Sequence, residues 1–533
     1  MRRMKGAAGL LTALLLAFQL SAQTFALASE DNGIEVVPVN FTHNGYSYEI
    51  EGVAKSTDGD YRIKSPARLA ARKLPSTYDP RSSGEITTVK DQASTGACWA
   101  FSALACAEQD LIKKGLENPS AEFSVPALVL SSNSGTATGK DDFSSGGNWL
   151  FAASALANGQ GLCYEDYEPF LESGTGNIIV SENKKSVSEY RLNYVMELSS
   201  TTQVKRKIME LGAVSASYFA GNGYMNHNNT AYYDPDASKN TIINHSVTVV
   251  GWDDNYSKDN FRYKPANNGA WLVKGSWGAD QDNDGFYWVS YDEAEFGQFC
   301  CYDFEESCDN TYHYSKMTGY VVNASNDGSV YGANVFTAKA DEKLDKAGFM
   351  YVGKTGSADY TISVYTDVSD SDPIGVLETQ ISGSVSANGF YTVDFPEDIL
   401  LEEGEKYSIS VKFSGDSGRG YLLAESDRTS KAQSGQSYVS LNGKYWSDVG
   451  ADKTDSIGSL FIYAYTDDTA KPDKSSLETT LAKYGTLAGS EREANNARMV
   501  LADETASKND ISNAQTPKSS LSPPQKNRTK PLL

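Results

Sequence analysis

Two stretches of the sequence carry the residues that nucleophilic catalysis by a thiol requires. Cys98 follows a run of small residues and precedes apolar residues at helical spacing, which are Trp99, Phe101, Leu104 and Ala105. This pattern predicts a helix that begins at Cys98, where the helix dipole favours the thiolate over the thiol. The thiolate is the form of cysteine that attacks in covalent catalysis. A buried structural cysteine is the alternative interpretation.

A reactive thiol needs an imidazole partner, and the chain has four histidines: His43, His227, His245 and His313. His245 alone begins a β-branched run, which ends at Gly251 and is typical of a strand. We therefore expect His245 to be the acid and base partner of Cys98, with a purely structural histidine at a strand edge as the alternative.

An oxyanion formed during acyl transfer also needs hydrogen-bond donors. Gln92 lies shortly before Cys98, and its side-chain amide and the backbone N–H of Cys98 would together make an oxyanion hole. Removal of one such donor costs a factor of roughly 10² to 10³ in rate.

These stretches resemble the papain family of cysteine peptidases, which includes the cathepsins. The run V-K-D-Q-x-x-x-G-A-C-W-A-F-S contains the family signature C-G-[SA]-C-[WY], with Thr95 in place of the first cysteine. Because that cysteine is a disulfide partner in the family, the resemblance does not imply this bridge here. The string N-H-S-V-T-V-V-G-W from Asn244 is similar to the family's N-H-A-V-x-x-V-G-Y. The resemblance covers residues 74–308 and implies an α+β domain of two lobes, one helical and one like a β-barrel.

One orienting residue of the family is absent. The string A-W-L-V-K-G-S-W-G at residues 270–278 resembles the family's W-x-V-K-N-S-W-G, in which the asparagine accepts a hydrogen bond from the imidazole. Gly275 stands at that position, whereas Trp277, which shields the contact in the family, is kept. Because positioned acid–base catalysis is worth roughly 10² to 10⁴ in rate, we expect a reduced rather than an abolished activity. Asn267 or Asn268 is a candidate substitute for the missing amide.

A glycine pair marks the expected substrate cleft. Gly146 and Gly147 resemble the family's N-G-G segment, whose backbone pairs with an extended peptide. Glycine lets two backbones approach closely, and pairing of this kind gives a loose sequence preference. We expect Gly146, Gly147 and Trp277 to contact the substrate, with a simple turn as the alternative for the glycine pair.

No metal or cofactor is expected from the sequence. Asp280, Asp282, Asp284 and Gly285 resemble the start of an EF-hand, but Tyr291 stands where that loop needs glutamate. The six cysteines lack the paired spacing of a zinc site. The formal charge of -22 disfavours nucleic acids and anionic membranes as partners.

The chain divides into five segments. Residues 1–28 have the basic start, apolar run and small residues of a secretory signal peptide, and no later stretch is expected to span a membrane. Residues 29–73 are a pro-segment or spacer, 74–308 the peptidase domain and 309–467 a β-rich domain. Residues 468–533 are a polar, largely disordered tail with a helix around Leu481 to Asp503.

The β-rich domain shows period-two alternation of apolar and polar residues. In one example, apolar side chains alternate with serine and lysine at Tyr407, Ile409, Val411 and Phe413. This pattern predicts strands of an all-β sandwich. By position and pattern, the segment is similar to the lectin-like domain that follows such peptidases in some bacterial secreted proteins. A carbohydrate or cell-surface ligand is therefore a candidate partner, and Tyr438, Tyr445 and Trp446 are candidates to stack on it or to pack an edge.

The function expected from the sequence is that of a secreted cysteine endopeptidase acting on extended polypeptides. A papain-like binding or adhesion protein that scarcely cuts is an alternative, because of Gly275. A cell-wall amidase of related fold is another, although the Gln92–Cys98 run favours the peptidase.

Overall fold

The structure is a computed structural model. It describes residues 34–38, 42–43, 46–47, 73–132, 143, 146–165, 170–172, 178–179, 189–221, 223–237, 243–279, 282–315, 318–324, 328–369, 371–415, 420–425, 432–451, 458–470, 475–484 and single positions between 497 and 514. The expected signal peptide lies outside these residues. No helix within them is long and apolar enough to cross a bilayer.

Five helices lie in the described residues: α1 Cys98–Lys114, α2 Val125–Ser132, α3 Trp149–Ala157, α4 Thr201–Leu211 and α5 Ser475–Tyr484. Helix α1 ends where Gly115 adopts the left-handed conformation with a φ of 75°, and Lys113 and Lys114 complement the dipole of its last turn. Helix α4 begins with a capping box between Ser200 and Gln203. Helices α1 to α3 pack on one another and form the helical lobe.

The strands up to the end of the peptidase region are β1 Ile34–Pro38, β2 Thr42–His43, β3 Tyr46–Ser47, β4 Thr77–Tyr78, β5 Leu171–Glu172, β6 Ile178–Ile179, β7 Tyr190–Leu198, β8 Val214–Tyr218, β9 Ala231–Tyr232, β10 His245–Asp253, β11 Ala270–Lys274, β12 Phe286–Ser290 and β13 Gly297–Glu306. Strands β8, β10, β11 and β12 are neighbours in the sheet of the second lobe. A short 3₁₀ turn, Asp282–Gly285, precedes β12 where the acidic stretch was noted.

The strands of the β-rich region are β14 Asn310–Tyr312, β15 Thr318–Ala324, β16 Ser329–Thr337, β17 Glu342–Tyr351, β18 Ala358–Thr366, β19 Val376–Val385, β20 Gly389–Leu401, β21 Lys406–Ser414, β22 Tyr421–Glu425, β23 Ser437–Ser440, β24 Ser447–Asp448 and β25 Ile462–Asp468. One sheet has the order β19-β18-β21-β16-β23-β24. The predicted α+β domain of two lobes, followed by an all-β region, is confirmed.

A single sheet runs through both regions. Its order is β14-β25-β17-β20-β7-β13-β8-β10-β11-β12-β9, with β4 paired to β10. The junction is the antiparallel pairing of β7 with β20, where Tyr194 lies opposite Tyr391. Beside it, the half-buried Glu197 carboxylate accepts hydrogen bonds from Trp149 Nε1 and Asn388 Nδ2, both at 3.1 Å. The two regions therefore share backbone hydrogen bonds as well as side-chain contacts.

The sheets bury more of the β-rich region than alternation alone predicts. On β21, Ile409 and Val411 are buried as expected, but so are Ser408 and Ser410 on the other face. Ser408 Oγ satisfies its hydrogen-bonding capacity by donating to Pro373 O at 2.5 Å. Both faces of strand β21 are thus buried, and the segment at Pro373 contacts the face that carries Ser408.

The tail differs in part from the sequence-based expectation. Helix α5 begins at Ser475, and its Leu477 is buried with Ala497, Ile511 and Ala514. These four apolar residues of the tail therefore pack together, whereas the sequence analysis expected the tail to be largely disordered. All six cysteines are described, and none is bonded to another.

Candidate active site

Cys98 lies at the first position of α1, as the sequence predicts. It is partly exposed, whereas the next three residues of the helix are buried. The helix is held against β10, since Ser102 Oγ donates to Val247 O at 2.7 Å. The nucleophile candidate therefore sits where the two lobes meet.

The surroundings of the sulfur keep the thiol protonated. Burial raises the pKa of the Cys98 thiol above its ordinary value. Hydrogen bonds from the backbone and side chain of Ser246, and from the backbone of Trp99 and Cys98, oppose this shift without cancelling it. Desolvation thus opposes the expected preference of the helix N-terminus for a thiolate.

His245 is the first residue of β10 and is buried. Its ring stacks on Trp277, with centroids 4.5 Å apart and planes at 10°, and meets the ring of Tyr218 edge-on at 5.9 Å. Burial lowers the pKa of His245 to about 4, so the imidazole is neutral at neutral pH. Among the described residues, His245 Nε2 is buried without a hydrogen-bond partner, and no hydrogen bond joins the ring to Cys98.

Gly275 follows β11 and faces the space that an orienting side chain would enter. Its backbone N–H donates to Gly285 O at 3.1 Å. A Cβ atom added to Gly275 would lie 3.1 Å from Gly285 O and 3.4 Å from the ring of Tyr287. The Tyr287 hydroxyl is in turn hydrogen-bonded to that of Tyr218 at 2.9 Å. The region beside the imidazole is therefore filled with aromatic rings.

Neither candidate substitute for the missing amide reaches the imidazole. Asn267 bonds Asp292 through both its backbone N–H and its Nδ2, at 2.7 and 3.0 Å. Asn268 Oδ1 accepts from Lys258 N at 3.2 Å. Both asparagines belong to an exposed loop that follows β10, so the proposal that one of them orients His245 is wrong.

Gln92 is buried and held by Ser276, the residue between Gly275 and Trp277. The backbone N–H of Gln92 donates to Ser276 O at 2.8 Å, and Ser276 Oγ donates to Gln92 Oε1 at 2.6 Å. Gln92 Nε2 donates to Thr95 O at 2.8 Å. An amide nitrogen carries two hydrogens, so one remains for an oxyanion.

The glycine pair lies directly before α3. Gly146 has a φ of 74°, which favours glycine. At Gly147 an added Cβ would lie only 2.5 Å from the Trp99 ring, so the backbone packs against that indole. Trp277 is 39% exposed and stacks on His245. The glycine pair thus contacts the helix that carries the thiol, and Trp277 contacts the imidazole.

A buried ion network involves the helix α1 that carries Cys98. Glu108 of α1 is 3.1 Å from Lys90 Nζ and 3.8 Å from Lys274 Nζ, and it accepts from Thr87 Oγ1 at 2.6 Å. Burial alone would raise the pKa of Glu108, but the two lysines and the hydrogen bonds lower it overall. This network ties α1 to β11, the strand that leads into Gly275.

The remaining candidates from the sequence lie elsewhere. His227 is exposed in a turn, and His313 Nδ1 is 2.9 Å from Ser315 O. Ser246, Ser276 and Tyr287 are site residues that the sequence analysis did not identify. Ser246 and Ser276 lie inside the two strings that carry the resemblance, immediately after His245 and Gly275, and this adjacency was the available signal.

In the β-rich region, the three candidate aromatics differ in their exposure. Tyr445 is 80% exposed. Tyr438 is buried, and Trp446 packs against Tyr331 with centroids 6.4 Å apart. Tyr438 is therefore a core residue of this region rather than a stacking platform.

Comparisons with known proteins agree with these features. The model of the papain family of cysteine proteases matches residues 74–327, and that of the lectin-like domain matches residues 311–466. Human cathepsin L2 is 26% identical over 224 residues, which are 41% of this chain and 62% of the relative. Bovine cathepsin S is 29% identical over 218 residues, 40% of this chain and 60% of the relative. The chain thus spans about 60% of the length of these curated relatives.

Two solved structures match across both regions. One contains the cysteine protease and lectin-like domains of Cwp84, a surface layer associated protein of Clostridium difficile. It is 26% identical with a TM-score of 0.66, covering 82% of this chain and 99% of that one. The other is clostridial Cwp84 after propeptide cleavage, at 28% identity and a TM-score of 0.64, covering 74% and 99%. The chain therefore combines a papain family cysteine protease domain with a lectin-like domain.

Proposed function

We propose that this chain is a secreted cysteine endopeptidase in which Cys98 is the nucleophile and His245 its acid and base. One observation carries the proposal. Cys98 begins α1, and α1 is held against β10, the strand that His245 opens, by the hydrogen bond that Ser102 Oγ donates to Val247 O at 2.7 Å. A thiol, an imidazole and oxyanion donors at one junction are the parts that acyl transfer needs.

The reaction begins from a neutral pair. His245 takes the proton of the Cys98 thiol while the sulfur bonds to the carbonyl carbon of the substrate. The electron pair of the carbonyl moves to oxygen, which the free amide hydrogen of Gln92 and the backbone N–H of Cys98 stabilise. His245 then gives its proton to the leaving amine as the C–N bond breaks. Water, deprotonated by His245, hydrolyses the thioester and restores the thiol.

The substrates are extended polypeptides. Neither Gly146 nor Gly147 carries a side chain that would keep a peptide strand from pairing with this backbone. Trp277, partly exposed next to His245, provides an apolar wall of the cleft. The signal-like start of the sequence favours secretion. In the lectin-like domain, the exposed Tyr445 is the stacking candidate for a carbohydrate or cell-surface ligand.

The test compares casein cleavage by the secreted, reduced protein and three variants. We expect Cys98→Ala and His245→Ala to lower the rate by at least about 10³-fold. Cys163→Ala, which changes a buried cysteine elsewhere, serves as the matched control and should cleave casein normally. Equal cleavage by Cys98→Ala and the control would contradict the proposal.

A second candidate function has its own supporting observation. Gly275 supplies no acceptor, and His245 Nε2 has no partner among the described residues. A papain-shaped protein that binds polypeptides without cutting them fits this observation. This second function predicts two results. The unchanged protein does not cleave casein, and the Cys98→Ala variant still binds peptides.

A further inference from the structure

Helix α3 is joined rigidly to the glycine pair of the expected substrate cleft. Gly147, whose backbone packs against the Trp99 indole, lies two residues before Trp149, the first residue of the helix. Between them, the side-chain oxygen of Asn148 accepts hydrogen bonds from two backbone N–H groups of the first turn, at 2.9 and 3.3 Å. Because this cap fixes the chain between the glycine pair and the helix, a displacement of α3 also displaces the glycine pair.

The start of α3 is linked to the lectin-like domain through a single carboxylate. Trp149 Nε1 donates to Glu197 Oε1 at 3.1 Å, and Asn388 Nδ2 donates to Glu197 Oε2 at 3.1 Å. Glu197 lies on β7 of the peptidase domain, and Asn388 immediately precedes β20 of the lectin-like domain. Each oxygen of the carboxylate therefore bonds a different domain.

The orientation of the Asn388 amide is fixed by backbone groups. Asn388 is buried, and its Oδ1 accepts a hydrogen bond from Gly353 N at 2.9 Å. Its carbonyl oxygen accepts a second one from the backbone N–H of Glu197 at 3.0 Å. Because Oδ1 already bonds a backbone donor, the amide presents its Nδ2 to the Glu197 carboxylate. The lectin-like domain thus provides a donor in a fixed position.

The end of α3 contacts the same domain. The Tyr465 hydroxyl of β25 donates to the carbonyl oxygen of Ala157, the last residue of α3, at 3.4 Å. The following residue, Asn158, donates through Nδ2 to Ser315 O at 3.1 Å. Both Tyr465 and Ser315 lie within the residues that the lectin-like model matches. Helix α3 is therefore held at both ends by contacts that involve this domain.

We propose that Glu197 is a positioning residue of the peptidase, through which Asn388 of the lectin-like domain holds α3 so that Gly146 and Gly147 can pair with a peptide substrate. This inference rests on the proposed function. Glu197 acts through Trp149 and takes no part in the bond changes at Cys98. Loss of an interaction that only positions the peptide-binding backbone weakens substrate binding, so it should raise KM and leave kcat unchanged.

The test measures kcat and KM for casein cleavage by the full chain, alongside alkylation of Cys98 by iodoacetamide, which needs no peptide-binding backbone. Trp149→Phe keeps an aromatic ring but removes the Nε1 donor. We expect KM to rise about 5- to 10-fold, the effect of one lost hydrogen bond, with kcat and the alkylation rate unchanged. Glu197→Gln keeps an acceptor for Trp149 but turns an amide nitrogen toward Asn388 Nδ2, so KM should rise in the same way.

A double variant tests whether the hydrogen bond itself matters. Glu197→Gln combined with Asn388→Asp exchanges donor and acceptor between the two positions. The new carboxylate can accept from the new amide and from Gly353 N, and the amide oxygen still accepts from Trp149 Nε1. We expect KM to return close to that of the unchanged protein. If KM stays as high as in Glu197→Gln, the inference is contradicted.

Thr392→Val is the matched control for general loosening of the domain junction. Thr392 of β20 donates to Asn193 Oδ1 of β7, and in the described part of the chain no hydrogen bond joins either side chain to α3. This variant should lose stability but keep its KM. If it raises KM as much as Trp149→Phe does, loosening of the junction explains the effect and the inference is overturned.

The remaining outcomes separate the inference from the proposed function. If Trp149→Phe and Glu197→Gln both cleave casein with unchanged KM, the inference is overturned while the proposed function stands. If Glu197→Gln does not fold, an unchanged KM in Trp149→Phe alone overturns it. Absence of casein cleavage by the unchanged chain would overturn the proposed function, and the positioning role with it.

Discussion

The imidazole of His245 and the indole of Trp277 lie face to face, with ring centroids 4.5 Å apart and planes at 10°. Trp277 also lies parallel to Tyr287, at 6.3 Å and 9°. Because Tyr218 meets His245 from the edge, the plane of the imidazole is restricted by rings rather than by an amide. This packing can fix the orientation of His245, but it provides no acceptor for Nε2.

Restoring the missing amide should therefore increase activity. We expect Gly275→Asn to raise the rate of casein cleavage about tenfold, part of the range for positioned acid–base catalysis. The new Cβ lies 3.1 Å from Gly285 O, so that neighbour must shift by a few tenths of an ångström. Gly275→Ala introduces the same Cβ without the amide and is the control. If both variants change the rate equally, the amide is not what His245 lacks.

Because Trp277 packs against the imidazole, we expect it to contribute to the rate of casein cleavage. Trp277→Leu keeps an apolar side chain but removes the stacked face, so His245 should lose orientation and gain solvent. We expect the rate of casein cleavage to fall about 10- to 100-fold, within the share that positioned acid–base catalysis supplies. A Trp277→Phe variant should lose less because it retains a ring. Equal rates for the leucine and phenylalanine variants would argue against stacking.

The neutral ground state predicts an unusual dependence on pH. The active form has a neutral imidazole and a protonated thiol. Activity should rise with pH through the pKa of His245 at about 4 and fall only above pH 9.0, since burial raises the pKa of Cys98 above that ordinary value. The measurement is the pH profile of kcat/KM, with ultraviolet thiolate absorbance in parallel. A thiolate signal in mildly acidic solution would show an ion pair and contradict this prediction.

The buried ion network should be essential for stability. Glu108→Gln leaves Lys90 and Lys274 without their charged partner, and we expect the free energy of unfolding to fall by about 3 kcal/mol. Glu85→Gln is the control, because Glu85 is 48% exposed and its pair with Lys113 is worth under about 1 kcal/mol. Chemical denaturation of the three proteins measures the difference.

The same network predicts how stability depends on acid. The pKa of Glu108 is lowered in the folded state, so its contribution is present above the ordinary value of 4.5 and is lost as the pH falls through the lower, folded value. The unchanged protein should lose stability below pH 4.5 more steeply than Glu108→Gln. If the free energy of unfolding falls equally in the two proteins as the pH is lowered, other carboxylates are responsible for the loss.

The sheet shared by the two domains predicts that they unfold together. Asn388→Ala removes a donor to the half-buried Glu197 carboxylate, and we expect the free energy of unfolding to fall by about 1 to 3 kcal/mol. Because β7 and β20 are paired, calorimetry should show one transition that shifts as a whole. Asn267→Ala, on an exposed loop, is the control. Two transitions, with only one shifted, would contradict the coupling.

The sequence predicted those parts of the site that depend on local pattern. Helical spacing after Cys98 and the β-branched run after His245 indicated the helix start and the strand start that the structure has. The two-lobed α+β fold and the all-β region followed from resemblance and from alternation.

Other features depend on contacts between distant segments, which no local pattern contains. Desolvation raises the pKa of Cys98 in the folded protein, where α1 packs against β10. The pairing of Ser217 with Ser246 is set by the β8–β10 register. Burial of Tyr438 and the sheet that joins the domains arise in the same way, from strands far apart in the chain.

The most direct test of the central claim is active-site labelling of the secreted, reduced protein. An epoxysuccinyl thiol inhibitor is added, the adduct is located by mass spectrometry, and casein cleavage is followed in parallel. The account predicts fast labelling at Cys98 and cleavage that the label abolishes. Labelling no faster than that of an ordinary exposed thiol, with no casein cleavage before or after it, would contradict the account.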